Sequence, residues 1–328
     1  MESGNIVANR NVSLDILRIL ACIGVITIHS AGSVDFHHLA EVGTLYWNIG
    51  MAMNVLCRWS VPVFCMLTGF FFLNPLKRLS KKNLYCKYIM HIVIVLIVWS
   101  LFYAITFHQR LYPFGKQSVH FWYLSMCIGL YMAMPVLRWI AGNKDILAYF
   151  CWVWLGCKIY DFIGNFIPVP ITIIDHLFVD YVGYCLWGYY LSLIQLTHRR
   201  KFWVYITGIV CAAISVLGYL FSKDAESCWA SYVSIPNILT SLSLFFVFLH
   251  WHPHISDWGV KLISGLSSCT LGIYMVHIWI LTQIFFRIYR FVPNLLLTIV
   301  LSIIITFITG GVIVLSIRQI PVLKRWIV

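Results

Sequence analysis

The sequence predicts an all-α, polytopic membrane protein: a bundle of about ten transmembrane helices with both termini cytoplasmic. Three observations predict it. Hydrophobic residues make up 61% of the 328 and charged residues only 10%, against roughly 45–50% and 25% in soluble domains. The mean hydropathy is +0.87. The apolar residues also fall in runs of about 20, the length that crosses a bilayer. No soluble fold hides that much apolar surface, so a soluble enzyme, a disordered chain and a nucleic-acid-binding module are excluded. The net charge of +12 then reads as basic loops held at an anionic leaflet.

The predicted spans follow in order. The first (12–31) carries Asp15, Arg18 and His29, which the apolar core of a signal peptide would not, so it reads as a retained helix. The second (52–73) contains Arg58. The third (89–107) follows the basic run Lys77, Arg78, Lys81, Lys82 and Lys87. The fourth (121–140) opens on Trp122, and the fifth (146–164) is interrupted by Lys158 and Asp161. The sixth (177–196), with Asp180 near its start, the seventh (203–221) and the eighth (233–250) are mainly apolar. The ninth (263–284) carries His277, and the tenth is 294–315. An even number of spans places both termini on one side. Of the 23 Lys and Arg residues, about sixteen fall at the ends that share the termini's side, which makes that side cytoplasmic. No stretch between spans is long enough to fold alone, so residues 1–328 form a single transmembrane domain.

The 11 cysteines lie mostly inside apolar runs, where a free thiol acts as a small hydrophobe. Only Cys157 and Cys228 face the expected exterior. The segment His250-Trp251-His252-Pro253-His254 is interrupted by Pro253 and has no carboxylate near it but Asp257. No metal site is expected.

An ionisable side chain within a span is costly and marks a functional site by default. Arg18 and His29 are eleven residues apart on one helix. Eleven steps of about 100° return to within about 20° of one face, with a rise of roughly 16–17 Å. One stripe thus carries a guanidinium near the cytoplasmic face and an imidazole in the outer half. Arg58 and His277 fall at about the depth of His29 on two other spans. Three such groups at one level do not all face lipid, and the Arg needs an anion or carbonyls around it. With Arg18, the basic run around Lys82 and Lys87 would make a cationic mouth suited to phosphates.

The string SLDILRILACIGVITIHS (13–30) has the Arg-x10-His pattern of the membrane acyltransferase-3 family. Further segments resemble that family in the same order: CRWSVPVFCMLTGFFF (57–72), HFWYLSMCIGLYMAMPVL (120–137), HLFVDYVGYCLWGYYL (176–191) and SSCTLGIYMVH (267–277). With no appended esterase-like domain, the chain looks like the sugar O-acetyltransferase branch that acts on surface polysaccharides.

The resemblance implies a multi-pass protein of the bacterial inner membrane. It would move an acyl group, expected to be acetyl, from cytoplasmic acyl-CoA to a hydroxyl of a surface or lipid-linked glycan. Acyl-CoA, the glycan and membrane lipids are the expected partners, with no nucleic acid and no bound cofactor. In that scheme His29 is general base or transient acyl carrier, Arg58 stabilises the oxyanion, Arg18, Lys82 and Lys87 bind acyl-CoA, and Trp122 and His277 shape the acceptor pocket. One departure stands out. Where many members carry paired arginines before the third helix, SKKNLYCKY (80–88) offers only Lys82 and Lys87, point charges without the bidentate fork of Arg. The competing expectation is a transporter of polysaccharide intermediates, since intramembrane Arg and His suit substrate pathways too. A structural scaffold would leave those charges without a task.

Overall fold

Every regular element of the computed structural model is helical among the residues it describes, 11–112, 118–166, 180–222, 228–321 and 323. In a bilayer this is forced: a helix satisfies its backbone donors and acceptors within one segment, where no water can. Among the described residues, nine helical segments are long and apolar enough to cross a membrane, so the predicted membrane helix bundle is what the chain forms.

The first is α1 (Val12–Phe36), capped by Asn11, whose side chain accepts from the Leu14 N–H. It is the central helix, packed against five others, while the helices that follow surround it. Next come α2 (Leu45–Leu56), capped by Thr44, and α3 (Ser60–Phe72). A short α4 (Lys81–Asn83) leads through a π-helical turn (Leu84–Ile89) into α5 (Met90–Thr106). Then follow α6 (Trp122–Ala141), α7 (Lys144–Gly164) and α8 (Asp180–Tyr190). The chain continues with α9 (His198–Ser222), α10 (Ile235–His250), α11 (Asp257–Phe291) and α12 (Leu295–Ile317).

Three differences from the sequence reading have physical causes. The span expected as one helix over 52–73 is two, α2 and α3, broken at Cys57–Trp59. Pro62 has no N–H to offer the carbonyl of Arg58. The turn tightens instead, with Arg58 N–H bonded to Val55 O at 3.1 Å and Ser60 N–H to Cys57 O at 3.1 Å, and the Ser60 hydroxyl also donates to Cys57 O. Arg58 therefore sits at a helix break and not within a continuous helix.

The second difference is α8, only 11 residues with a 3-10 turn at Leu191–Leu193, where a span over 177–196 was expected; residues 177–179 lie outside the described ones. Its residues Gly183–Tyr189 are all buried. α8 crosses α3 at backbone contact: a methyl group on Gly188 would overlap Met66, and one on Gly69 would overlap the Cys185 carbonyl. Small residues permit such approach between membrane helices, where packing rather than hydrophobicity drives association.

Third, α11 runs for 35 residues, well beyond the expected 263–284, so at roughly 52 Å it is longer than a bilayer core is thick. By contrast, the interruption expected in the fifth span does not break α7. The Lys158 ammonium is buried and donates to Asp161 Oδ2 at 2.7 Å, with Asp180 Oδ1 also at 2.7 Å, so a paired charge is tolerated there.

Candidate active site

One part of the site is built on α1 and α11. Arg18 Nη1 donates to Ser267 Oγ at 3.2 Å and lies 3.6 Å from Asp15 Oδ1, and Ser267 in turn donates to Asp15 at 2.6 Å. The guanidinium also lies 5.4 Å from the Phe71 ring centroid. Asp15 holds Arg18 in place but leaves its side chain 27% exposed. That exposed guanidinium lines a cavity of about 210 Å³. Phe64, Leu67, Thr68, Phe71 and Phe72 of α3 form one wall, and Tyr123, Leu124, Cys127 and Tyr131 of α6 another. Thr270, Leu271 and Tyr274 of α11 complete it. Arg18 is the one charged group among these linings; the rest is mostly apolar and aromatic, with the hydroxyls of Thr68 and Thr270.

More cations gather around Phe72. Lys77 donates to Phe71 O at 3.2 Å, and Arg138 donates to Phe72 O and, at 2.5 Å, to Lys77 O. These bonds satisfy the carbonyls that end α3. Lys87 lies 5.5 Å from the ring of Tyr88, which packs against the cavity-lining Phe72 and Tyr131. Lys82 and Lys87 are both exposed and do not line the cavity.

The other part is organised by the helix break. Arg58 donates through Nε and Nη2 to Asn54 Oδ1 at 3.0 and 2.8 Å. Asn54 donates onward to Ile28 O at 2.7 Å, one residue before His29. The Arg58 guanidinium stands 5.0 Å from the Tyr232 ring centroid, and Trp122 packs against both Tyr232 and Tyr181. Among the described residues no carboxylate pairs with Arg58. It is a cation held by a neutral amide and an aromatic face, with its charge left available.

Beside it three imidazoles form a row. The centroids of His29 and His277 are 5.1 Å apart, and those of His277 and His120 4.9 Å. His277 and His120 are buried, whereas His29 is half-buried. Tyr274 joins this row to the cavity: it lines the cavity, packs against His277 and His120, and donates its hydroxyl to His120 O at 2.6 Å. The α11 backbone is pinned here by Tyr103, whose hydroxyl donates to Met275 O at 3.0 Å and accepts from Trp279 N–H at 3.1 Å. Those two groups are the ends of one step of the helix ladder, the kind of insertion that bends a helix.

A family model described as an acyltransferase domain matches residues 11–315, nearly the whole chain. The chain belongs to the acyltransferase-3 family. Comparisons with curated proteins and with solved structures returned no match. This membrane acyltransferase thus places a cavity lined by Arg18 toward one end of α1 and a cluster of imidazoles toward the other.

Of the residues singled out from the sequence, the acyltransferase brings His29 and His277 into ring contact, and Trp122 meets Arg58 through Tyr232. Arg18 stands at the other end of α1 in the cavity, and His29 is not among the residues lining it. Sequence reasoning missed four members. His120 opens the quoted fourth segment and could have been noticed as a third histidine at that depth. Asn54 is four residues before Arg58, the helical spacing for a contact. Tyr232 and Tyr103 carry no signal in the sequence. A second cavity of about 270 Å³ is lined by Lys158, Asp161, Asn165, Ser231 and Ser234 among others. Among the described residues no group of three His, Cys, Asp or Glu is arranged to hold a metal ion.

Proposed function

We propose that the protein transfers an acetyl group from acetyl-CoA to a hydroxyl of a surface or lipid-linked polysaccharide, in a bacterial inner membrane with both termini cytoplasmic. The observation that carries the reading is the cavity on α1 and α11. It is lined by one cation, by mostly apolar and aromatic side chains, and by Tyr274, which packs against the imidazole row. Such a shape suits a molecule with phosphates at one end and a thin thioester-bearing arm. Arg18 takes a phosphate, and Lys82 and Lys87 add positive potential at the same face.

His29 acts as general base on the acceptor hydroxyl. The oxygen–carbon bond forms while the proton passes to His29. The resulting oxyanion lies against Arg58, whose charge no carboxylate among the described residues neutralises. The carbon–sulfur bond then breaks, and His29 returns the proton to the departing thiolate. Trp122 and His277 belong to the acceptor side, with Tyr181 and Tyr232 presenting aromatic faces beside Trp122. No bound cofactor takes part.

A second reading, export of polysaccharide intermediates, draws on the break between α2 and α3. Discontinuous membrane helices bind substrates in many transporters. One experiment separates the two. Inverted vesicles from a deletion strain, which carry the native acceptor, are given the protein and [14C]acetyl-CoA. Label in the glycan supports the transferase, and its loss in His29→Ala at normal expression supports the base. Unlabelled glycan reaching the lumen refutes the transferase.

A further inference from the structure

His277 has one nitrogen to spare. Its Nδ1–H donates to Tyr274 O at 2.5 Å, and a carbonyl only accepts, so Nε2 carries a lone pair. That atom is buried and has no hydrogen-bond partner among the described residues. A buried acceptor without a partner calls for an explanation.

Two imidazoles flank it, and one is already committed. His120 Nε2 faces Met275 O at 3.4 Å and must carry its proton there, leaving Nδ1 to accept from the Ser118 hydroxyl at 2.9 Å. His120 therefore has no N–H for His277. His29 remains, with its ring centroid 5.1 Å away. An N–H···N bond of about 3 Å between two imidazoles sets their centroids close to ~5 Å apart, so a small rotation of the half-buried His29 ring completes the pair.

We infer that His277 Nε2 accepts an N–H from His29 and thereby fixes the His29 tautomer, leaving the other His29 nitrogen as a lone pair for the acceptor hydroxyl. His277 is then a positioning residue. The inference deepens the role proposed for His29 and rests on it. The surroundings suit a fixed partner. Tyr274 O holds the ring of His277, and Tyr103 bonds the backbone on both sides of it, at Met275 O and Trp279 N–H. During transfer the hydroxyl proton enters and leaves by the free His29 nitrogen, and the N–H toward His277 stays throughout. A tautomer held by a neighbour is worth much to a catalytic histidine, because the wrong tautomer presents a proton where a lone pair is needed.

Two substitutions separate this from a purely structural role. In His277→Asn the amide N–H replaces Nδ1–H toward Tyr274 O, and the acceptor at Nε2 is lost. In His277→Gln the amide oxygen reaches the Nε2 position. Both are assayed in inverted vesicles from a deletion strain with [14C]acetyl-CoA, with folded protein quantified by size-exclusion chromatography. The expected result is a fall of about 10²-fold or more in kcat for Asn with an unchanged KM for acetyl-CoA, and retention within about tenfold for Gln. The reverse order, equal losses in both folded variants, or near wild-type turnover by Asn overturns the positioning role while the transferase stands. Absence of label with the wild-type protein overturns the transferase and this inference together.

Discussion

Asn54→Asp is expected to hold the fold and remove most of the turnover, because it puts a carboxylate on Arg58, which has none paired with it among the described residues. Asn54 Oδ1 accepts from Arg58 at 3.0 and 2.8 Å, and an aspartate there turns those bonds into an ion pair with charge centres about 4 Å apart. At an effective dielectric constant of about 20 the attraction is about 4 kcal/mol. The donation from Asn54 to Ile28 O at 2.7 Å is lost, and burying a carboxylate there costs about as much as the ion pair gains, so heat resistance should change little. The new charge acts with the opposite sign on an oxyanion facing Arg58. If only half of the 4 kcal/mol reaches the transition state, kcat drops about 30-fold. The assay is label transfer from [14C]acetyl-CoA in inverted vesicles, alongside the monodisperse fraction left after heating in detergent. Wild-type turnover in Asn54→Asp would show that the charge of Arg58 is not used, and the oxyanion role would fall.

Arg18→Ala should raise the KM for acetyl-CoA by about ten- to a hundredfold, the worth of a hydrogen bond to a charged group, with Arg18→Lys in between. Initial rates against donor concentration check it. Lys82→Ala and Lys87→Ala, at exposed positions, should each shift KM by no more than about fivefold, an effect that fades with added salt. Gly188→Ala forces a methyl against Met66 and should lower the temperature at which half the protein aggregates, with little folded protein recovered if α3 and α8 cannot separate. Tyr103→Phe removes the hydroxyl shared by Met275 and Trp279. It should cost about 1–3 kcal/mol of stability, read as an earlier thermal transition.

The membrane class was legible because hydropathy reports directly on the solvent. Arg18, His29, Arg58 and His277 were legible for the converse reason: each is an ionisable group where the solvent penalises one. What sequence could not supply was which neutral groups answer them. Asn54, Tyr232 and Tyr103 are ordinary residues in apolar runs, and only tertiary packing turns them toward Arg58 or α11. The break at Cys57–Trp59 was signalled by Pro62, but hydropathy averages over a window and ran the two halves together. The extent of α8 was hidden likewise. Its apolar run is as long as a span, yet helix stops after Tyr190 and gives way to a 3-10 turn, a matter of packing against α3 rather than of composition.

The unbroken course of α1 from Val12 to Phe36 has a consequence for how such an enzyme can change. In the proposed reaction Arg18 and His29 are fixed to one rigid rod, so their separation gauges the arm that joins phosphate to thioester. A single inserted residue would swing one group about 100° away from the other while lengthening the gap by only 1.5 Å. Changing that distance by insertion could proceed only in whole turns, and because every acyl-CoA shares the same arm, a different acyl group would have to be accommodated in the walls instead.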